Sequence, residues 1–170
     1  RLCVGLVLLL LALSHQSAAA SGPSILVLGD SLSAAYGMDM EQGWVNLLEQ
    51  RLKIKAPNAK VINASISGET TGGGAARLAG LLDKYEPSVV IIELGGNDGL
   101  RAYPIKQMRR NLKTMTDAAL NTNSKVLLLA AEAPPNLGRR YTALFRERYT
   151  QLAQNEAVMS LPFIVEHIFL

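Results

Sequence analysis

Apolar, strand-like runs alternate with segments of helical period along this chain, and the alternation predicts an α/β fold: a parallel sheet with helices on both faces. Two further observations support it. Strand-like runs recur at residues 25–28, 60–64, 88–94, 125–131 and 161–165, and the stretches between them place apolar residues three and four apart. The run at 88–94, Ser-Val-Val-Ile-Ile-Glu-Leu, is apolar almost throughout, as parallel strands buried on both faces are.

The start of the chain follows a different logic. Arg1, the apolar run 2–13 and the small residues Ala18-Ala19-Ala20 match the charged start, apolar core and A-x-A ending of a secretory signal peptide. The apolar run is shorter than the roughly twenty residues that cross a bilayer. Cleavage after Ala20 is expected, giving a periplasmic or secreted protein with no stable membrane anchor. Cys3, the single cysteine, would leave with the signal. The remainder, 21–170, is long enough for one domain with a real core and has no disulfide to rely on. The net charge of +3 falls to +2 without Arg1. Arg109-Arg110 and Arg139-Arg140 read as solvated helix charges, so nothing points to nucleic acid.

Each later element has its own signal. Trp44, Val45, Leu47, Leu48 and Leu52 recur at helical spacing until Pro57-Asn58 breaks the pattern. Strand 60–64 leads into a polar loop at 65–71. Leu78, Leu81 and Leu82 mark a helix over 73–82, and Pro87 closes that segment. Ile105, Met108, Leu112, Met115 and Ala119 mark a long helix, followed by strand 125–131, a loop at Pro134-Pro135-Asn136 and a helix over 141–153. The run 161–165 reads as a last strand or its exit.

In such a fold the loops after successive strands converge on the carboxyl edge of the sheet, where ligands bind. Three of these loops carry unusual chemistry. Gly29-Asp30-Ser31-Leu32-Ser33 follows the first strand and reads as a strand turning into a helix, with Ser31 near the free N–H groups of its first turn. Ser65-Ile66-Ser67-Gly68-Glu69-Thr70 follows the second strand and Gly95-Gly96-Asn97-Asp98 the third. A hydroxyl nucleophile, a glycine N–H and an Asn side-chain donor are the parts needed to attack a carbonyl and hold its oxyanion. Taken singly, Ser31 is also an ordinary capped turn, Gly68 a turn glycine with positive φ, and Asn97 a helix cap. A nucleotide-binding domain is a weaker reading, because Gly29 opens no G-x-G-x-x-G and Gly72-Gly73-Gly74 lacks the Lys-Ser/Thr of a phosphate loop.

The blocks GDSLS at 29–33, NASISGETT at 63–71 and ELGGNDGLR at 93–101, with APPNLGRRY at 133–141, resemble the SGNH (GDSL) hydrolase family, and within it the secreted bacterial arylesterases and acyl-CoA thioesterases of the lysophospholipase type. The resemblance implies a three-layer α/β/α fold around a five-stranded, flavodoxin-like parallel sheet, and no metal or organic cofactor. It implies that Ser31 is the nucleophile, that Gly68 and Asn97 are oxyanion donors beside the Ser31 backbone N–H, and that the substrate is a small ester, thioester or lysophospholipid. Pro134, Pro135 and Asn136 lie in the loop after the fourth strand, and the stiffness of its prolines makes them candidates for substrate contact.

One departure from the pattern stands out. The family draws its base from a D-x-x-H block, and no such block occurs here. The histidines are His15, within the expected signal, and His167, whose third preceding residue is Ile164. His167 follows Ser31 in the family's chain order and could in principle substitute. The expectation is a chain that stops ahead of the D-x-x-H block and the last helix of the domain. The alternative is a binding module that keeps the oxyanion donors and has no base.

Overall fold

A computed structural model describes residues 22–165; the signal segment 1–20 and His167 lie outside the described residues. In chain order the elements are β1 (Ser24–Gly29), α1 (Trp44–Lys55), β2 (Lys60–Asn63), α2 (Thr71–Tyr85), β3 (Val89–Glu93), α3 (Gly96–Leu100), α4 (Ile105–Asn121), β4 (Lys125–Leu129), α5 (Arg139–Leu152) and β5 (Val158–Leu161). Single 3₁₀ turns occupy Met40–Gln42 and Pro135–Leu137. No helix among the described residues is long and apolar enough to cross a membrane.

The five strands form one sheet in the order β2-β1-β3-β4-β5, and all four pairings are parallel. This is the flavodoxin-like order, in which the direction of strand addition reverses between β1 and β3. Strand residues alternate between two apolar layers, as a period of two requires. Leu26, Leu28, Val90, Ile92, Val126 and Leu128 face α2, α4 and α5, where Leu78, Leu112, Met115 and Phe145 are fully buried or nearly so. Val27, Ile91 and Leu129 face the opposite way, against Val45, Trp44 and Leu48 of α1.

Three local readings need correction. Residues 31–37 are a run of turns rather than a helix: Ala34 N–H donates to the Asp30 carbonyl at 2.9 Å, Tyr36 N–H reaches the Ser31 carbonyl at 3.0 Å, and positive φ at Ala35 and Gly37 ends any helical course. Gly95 to Asp98 reads as a loop in the sequence, but a short helix, α3, begins at Gly96. The last strand lies at Val158–Leu161 rather than 161–165. It pairs with β4 from Val126↔Val158 to Leu129↔Leu161. Pro162 follows directly and has no N–H to extend the ladder.

At the end of β3 the chain turns through Gly95, whose φ is +127°. A Cβ built there would lie 2.1 Å from Tyr149 Oη, and that hydroxyl donates to the Leu94 carbonyl at 2.8 Å in the buried core. Both conformation and space therefore require glycine. Gly95→Ala is expected to destabilise the fold by about 2–4 kcal/mol, from backbone strain and overpacking together. Urea unfolding followed by circular dichroism measures this; an unchanged midpoint would show that Tyr149 yields without cost.

Candidate active site

The site grows from the carboxyl ends of β1, β2 and β3. Pairing brings Gly29 level with Glu93 and Val27 level with Asn63, so the loops that follow leave the sheet side by side. Backbone bonds tie the second loop to β1: Ala64 N–H donates to the Val27 carbonyl at 2.8 Å and Ile66 N–H to the Gly29 carbonyl at 3.0 Å. Asn63 adds a side-chain bridge, its Nδ2 donating to the Ser33 carbonyl at 2.8 Å while its Oδ1 accepts the Ser65 N–H at 3.1 Å.

The second and third loops are joined at a buried carboxylate. Asp98, in the first turn of α3, accepts from Thr71 N–H at 2.9 Å and from Thr71 Oγ1 at 2.6 Å. Asn111 of α4 donates to the same Thr71 hydroxyl at 3.0 Å. The start of α2 is thereby locked to the turn that carries Asn97. Hydrogen bonds to a charged acceptor are among the stronger ones a fold can use, and this pair is out of water.

Ser31 lies at the reversal point between β1 and β3, half-buried in the wall of a cleft of about 550 Å³. Asn97, Pro134, Pro135, Leu100 and Phe163 share that wall. Asn97 Nδ2 donates to Asp30 Oδ2 at 3.1 Å, and Asp30 Oδ1 accepts the Leu32 N–H at 3.1 Å. The residues on either side of Ser31 are therefore held by one carboxylate, which also orients the Asn97 amide. An amide nitrogen carries two hydrogens, so one remains for a ligand in the cleft.

Behind Asp30 is a second carboxyl group. Glu93, 2% exposed, accepts from Ser33 Oγ at 2.8 Å and from Asp30 N–H at 3.4 Å. Gly29 makes this approach possible: a Cβ there would meet Ser33 Oγ at 2.4 Å and Glu93 Oε2 at 3.0 Å. Burial, and then the adjacent Asp30 charge, push Glu93 up to about 8. Burial also raises Asp30, against the lowering effect of its bonds to Leu32, Glu93 and Asn97.

Of the residues singled out in the sequence, the structure brings Ser31, Asn97, Pro134 and Pro135 to one cleft. Gly68 is outside its lining. It sits in the exposed part of the second loop with φ +80°, and its carbonyl accepts from Arg101 Nη1 at 3.3 Å. Asn136 is exposed within the 3₁₀ turn. The sequence reading passed over Asn63, Thr71 and the pair Asp30 and Glu93 as working parts of the site. Glu93 had a signal: it is the lone charge inside an apolar strand run, a place where an unpartnered carboxyl is costly.

The chain is similar to known proteins of one family. Residues 27–168 match the GDSL-like lipase/acylhydrolase family. The chain is 46% identical over 166 residues to esterase TesA of Pseudomonas aeruginosa, covering 98% of this chain and 79% of that protein. It is 42% identical over 165 residues to an arylesterase of Vibrio mimicus, covering 97% of this chain and 82% of that protein. The crystal structure of the psychrotrophic esterase EstA from Pseudoalteromonas sp., inhibited by monoethylphosphonate, superposes with a TM-score of 0.81 at 43% identity, covering 86% of this chain and 80% of that one. A family match over residues 27–168, a shared fold and relatives at this level of identity lead to one assignment: the chain belongs to the GDSL-like lipase/acylhydrolase family.

Proposed function

We propose that the protein is a serine hydrolase that cleaves carboxylic esters through an acyl-enzyme on Ser31. The observation that carries this reading is the meeting of Ser31 and an Asp30-oriented Asn97 amide on one cleft, at the point where the strand order reverses. The Ser31 oxygen attacks the carbonyl carbon, and the carbonyl oxygen becomes an oxyanion facing the second Asn97 N–H and the Ser31 backbone N–H. Collapse of the tetrahedral centre expels the alcohol or thiol, and water then releases the acid by the same route. The part assigned to Gly68 as a further oxyanion donor rests on its motif.

The attack also needs a group to take the Ser31 proton and pass it to the leaving group. A carboxylate-supported imidazole is the usual solution, and the described residues contain no histidine. The names of the relatives are those of hydrolases, which favours an enzyme over a binding module. Inhibition of EstA by a phosphonate, which imitates a tetrahedral centre, supports the same chemistry for Ser31. Between aryl esters, acyl thioesters and lysophospholipids, the apolar wall of Leu100, Pro134, Pro135 and Phe163 favours a substrate with an apolar acyl or aryl group. The signal-like sequence of residues 1–20 favours export to the periplasm or beyond.

A fluorophosphonate probe is expected to label Ser31 in the whole protein and to leave Ser31→Ala unlabelled; equal labelling of both would remove Ser31 from the mechanism. Asn97→Ala should lower kcat by about 10²–10³ with little change in KM, because its bond strengthens as charge develops on the oxygen. A rise in KM with kcat unchanged would make Asn97 a ground-state contact. The loop 132–140 places Pro134 and Pro135 on the cleft and is tied to α5 through the Glu132–Arg146 ion pair. Exchanging it for the loop of a relative with a different acyl-length preference should shift the profile of p-nitrophenyl ester chain lengths. Retained activity with an unchanged profile would locate selectivity elsewhere.

A further inference from the structure

Two buried carboxyl groups stand together beside Ser31 on the cleft; Asp30 orients Asn97, and Glu93 has no part in the reaction as described. Asp30 is 3% exposed and Glu93 2%. The pair is threaded through the site. Glu93 accepts from Ser33 Oγ and from the Asp30 backbone N–H, and Asp30 in turn accepts from Asn97 Nδ2 and Leu32 N–H. Two carboxylates cannot both hold a full negative charge in such a place, so the pair keeps one proton. Each group receives two donors, so burial decides where the proton sits. Glu93 is set within β3, and its burial beside Asp30 raises it to about 8, which places the proton on Glu93 and leaves Asp30 ionised.

We propose that Glu93 is a positioning residue for ester cleavage: as a neutral carboxylic acid it donates its proton to Asp30, and the ionised Asp30 so held fixes both the Asn97 amide and the Ser31 turn. The proposal rests on the reading of Ser31 and Asn97 given above and extends it to a carboxyl group that borders the same cleft and acts through Asp30. If the proton is lost to solvent, two buried anions face each other. Their repulsion then drives the Asp30 carboxyl away from Glu93, and Asn97 loses its fixed orientation.

The surroundings offer the new charge little relief. Around the pair stand Asp98 from α3, the buried Tyr149 phenol from α5, and Glu132 from the loop after β4, which is ion-paired with Arg146. The value of about 8 for Glu93 sets the window in which the effect is read. A carboxyl raised in the folded state binds its proton more tightly there than in the unfolded chain. Its contribution is therefore greatest below the ordinary value of 4.5 and is lost progressively as pH rises towards about 8.

The test compares the whole protein with Glu93→Gln and Glu93→Ala, following kcat on a short p-nitrophenyl ester and the thermal midpoint across pH. Gln reproduces the neutral acid, accepting through Oε1 and donating through Nε2. Glu93→Gln should keep kcat within about threefold of wild type near neutral pH, while Glu93→Ala loses about 10²-fold through misplacement of the donors. Near pH 9 a group titrating at about 8 is protonated in only about one molecule in ten. The ratio of Gln-variant to wild-type kcat should therefore rise about tenfold from neutral pH to pH 9. The fall of the thermal midpoint with pH between about 4.5 and 8 should be shallower in Glu93→Gln.

Identical alkaline limbs in wild type and Glu93→Gln, or a Gln variant as inactive as the Ala variant, would overturn the proposal. The thermal slope needs no turnover, so it reads the shared proton even if Glu93→Ala does not fold. It also separates the two readings: a probe that fails to label Ser31 defeats the nucleophile assignment, whereas an unchanged thermal slope in Glu93→Gln defeats this one.

Discussion

The parallel pairing of β1 with a strand on each side is the constraint on which the site depends. β1 is bonded to β2 along one edge and to β3 along the other, so three chain segments leave the sheet at nearly the same height. Loops far apart in sequence, around Ser31, Gly68 and Asn97, are then neighbours without any direct contact having to draw them together. The order reverses at this position, and the first and third loops splay to opposite faces and leave a crevice between them. That crevice holds the cleft. A register shift of one residue would send every side chain of β1 to the opposite layer, so the packing that stabilises the sheet also protects the geometry of its edge.

Polar bonds then fix what the ladder has only brought close. Three side-chain bridges do most of this: Asn63 to Ser33, Thr71 to Asp98, and Asp30 to Asn97. Each joins a different pair of sheet-edge loops or the same pair at a different depth, so the three loops form one closed frame. Two of the three use a buried carboxyl group. Such a group is costly to remove from water and is tolerated where several donors meet it. Asp98 receives an N–H and a hydroxyl, and Asp30 an N–H and an amide. The satisfied polar atoms hold the working parts in a single arrangement, which is what stabilisation of a developing charge needs, since donors already aimed at it cost no reorganisation when it forms.

The glycines of the motif blocks belong to this packing. Gly29 leaves room for Ser33 and Glu93 to meet against the backbone of β1, and Gly95 leaves room for the Tyr149 hydroxyl that anchors α5 to the end of β3. The sequence blocks are thus partly records of close approach between elements. Read only as sources of chemical groups, they identify Ser31 and Asn97 and leave Gly29 and Gly95 without a purpose.

The amino-acid sequence by itself determined the fold class, the four helices with a clear apolar period and the approximate place of four strands, because burial on one face or both leaves a pattern in consecutive residues. It also determined that Ser31, Asn97, Pro134 and Pro135 stand at strand ends. Where the signal is weak, the boundaries moved: β5 lies earlier than its most apolar stretch, since pairing with β4 selects Val158–Leu161, and the turn after Ser31 is not helical, since Ala35 and Gly37 adopt positive φ. Only the tertiary structure decided which polar residues act together. The bond from Asp30 to Asn97 spans 67 positions and that from Ser33 to Glu93 spans 60, and no local pattern encodes such a pairing. The displaced proton affinity of Glu93 follows for the same reason. Its cause is burial beside another carboxyl group, a property of the space around the side chain that does not exist until the strands have assembled.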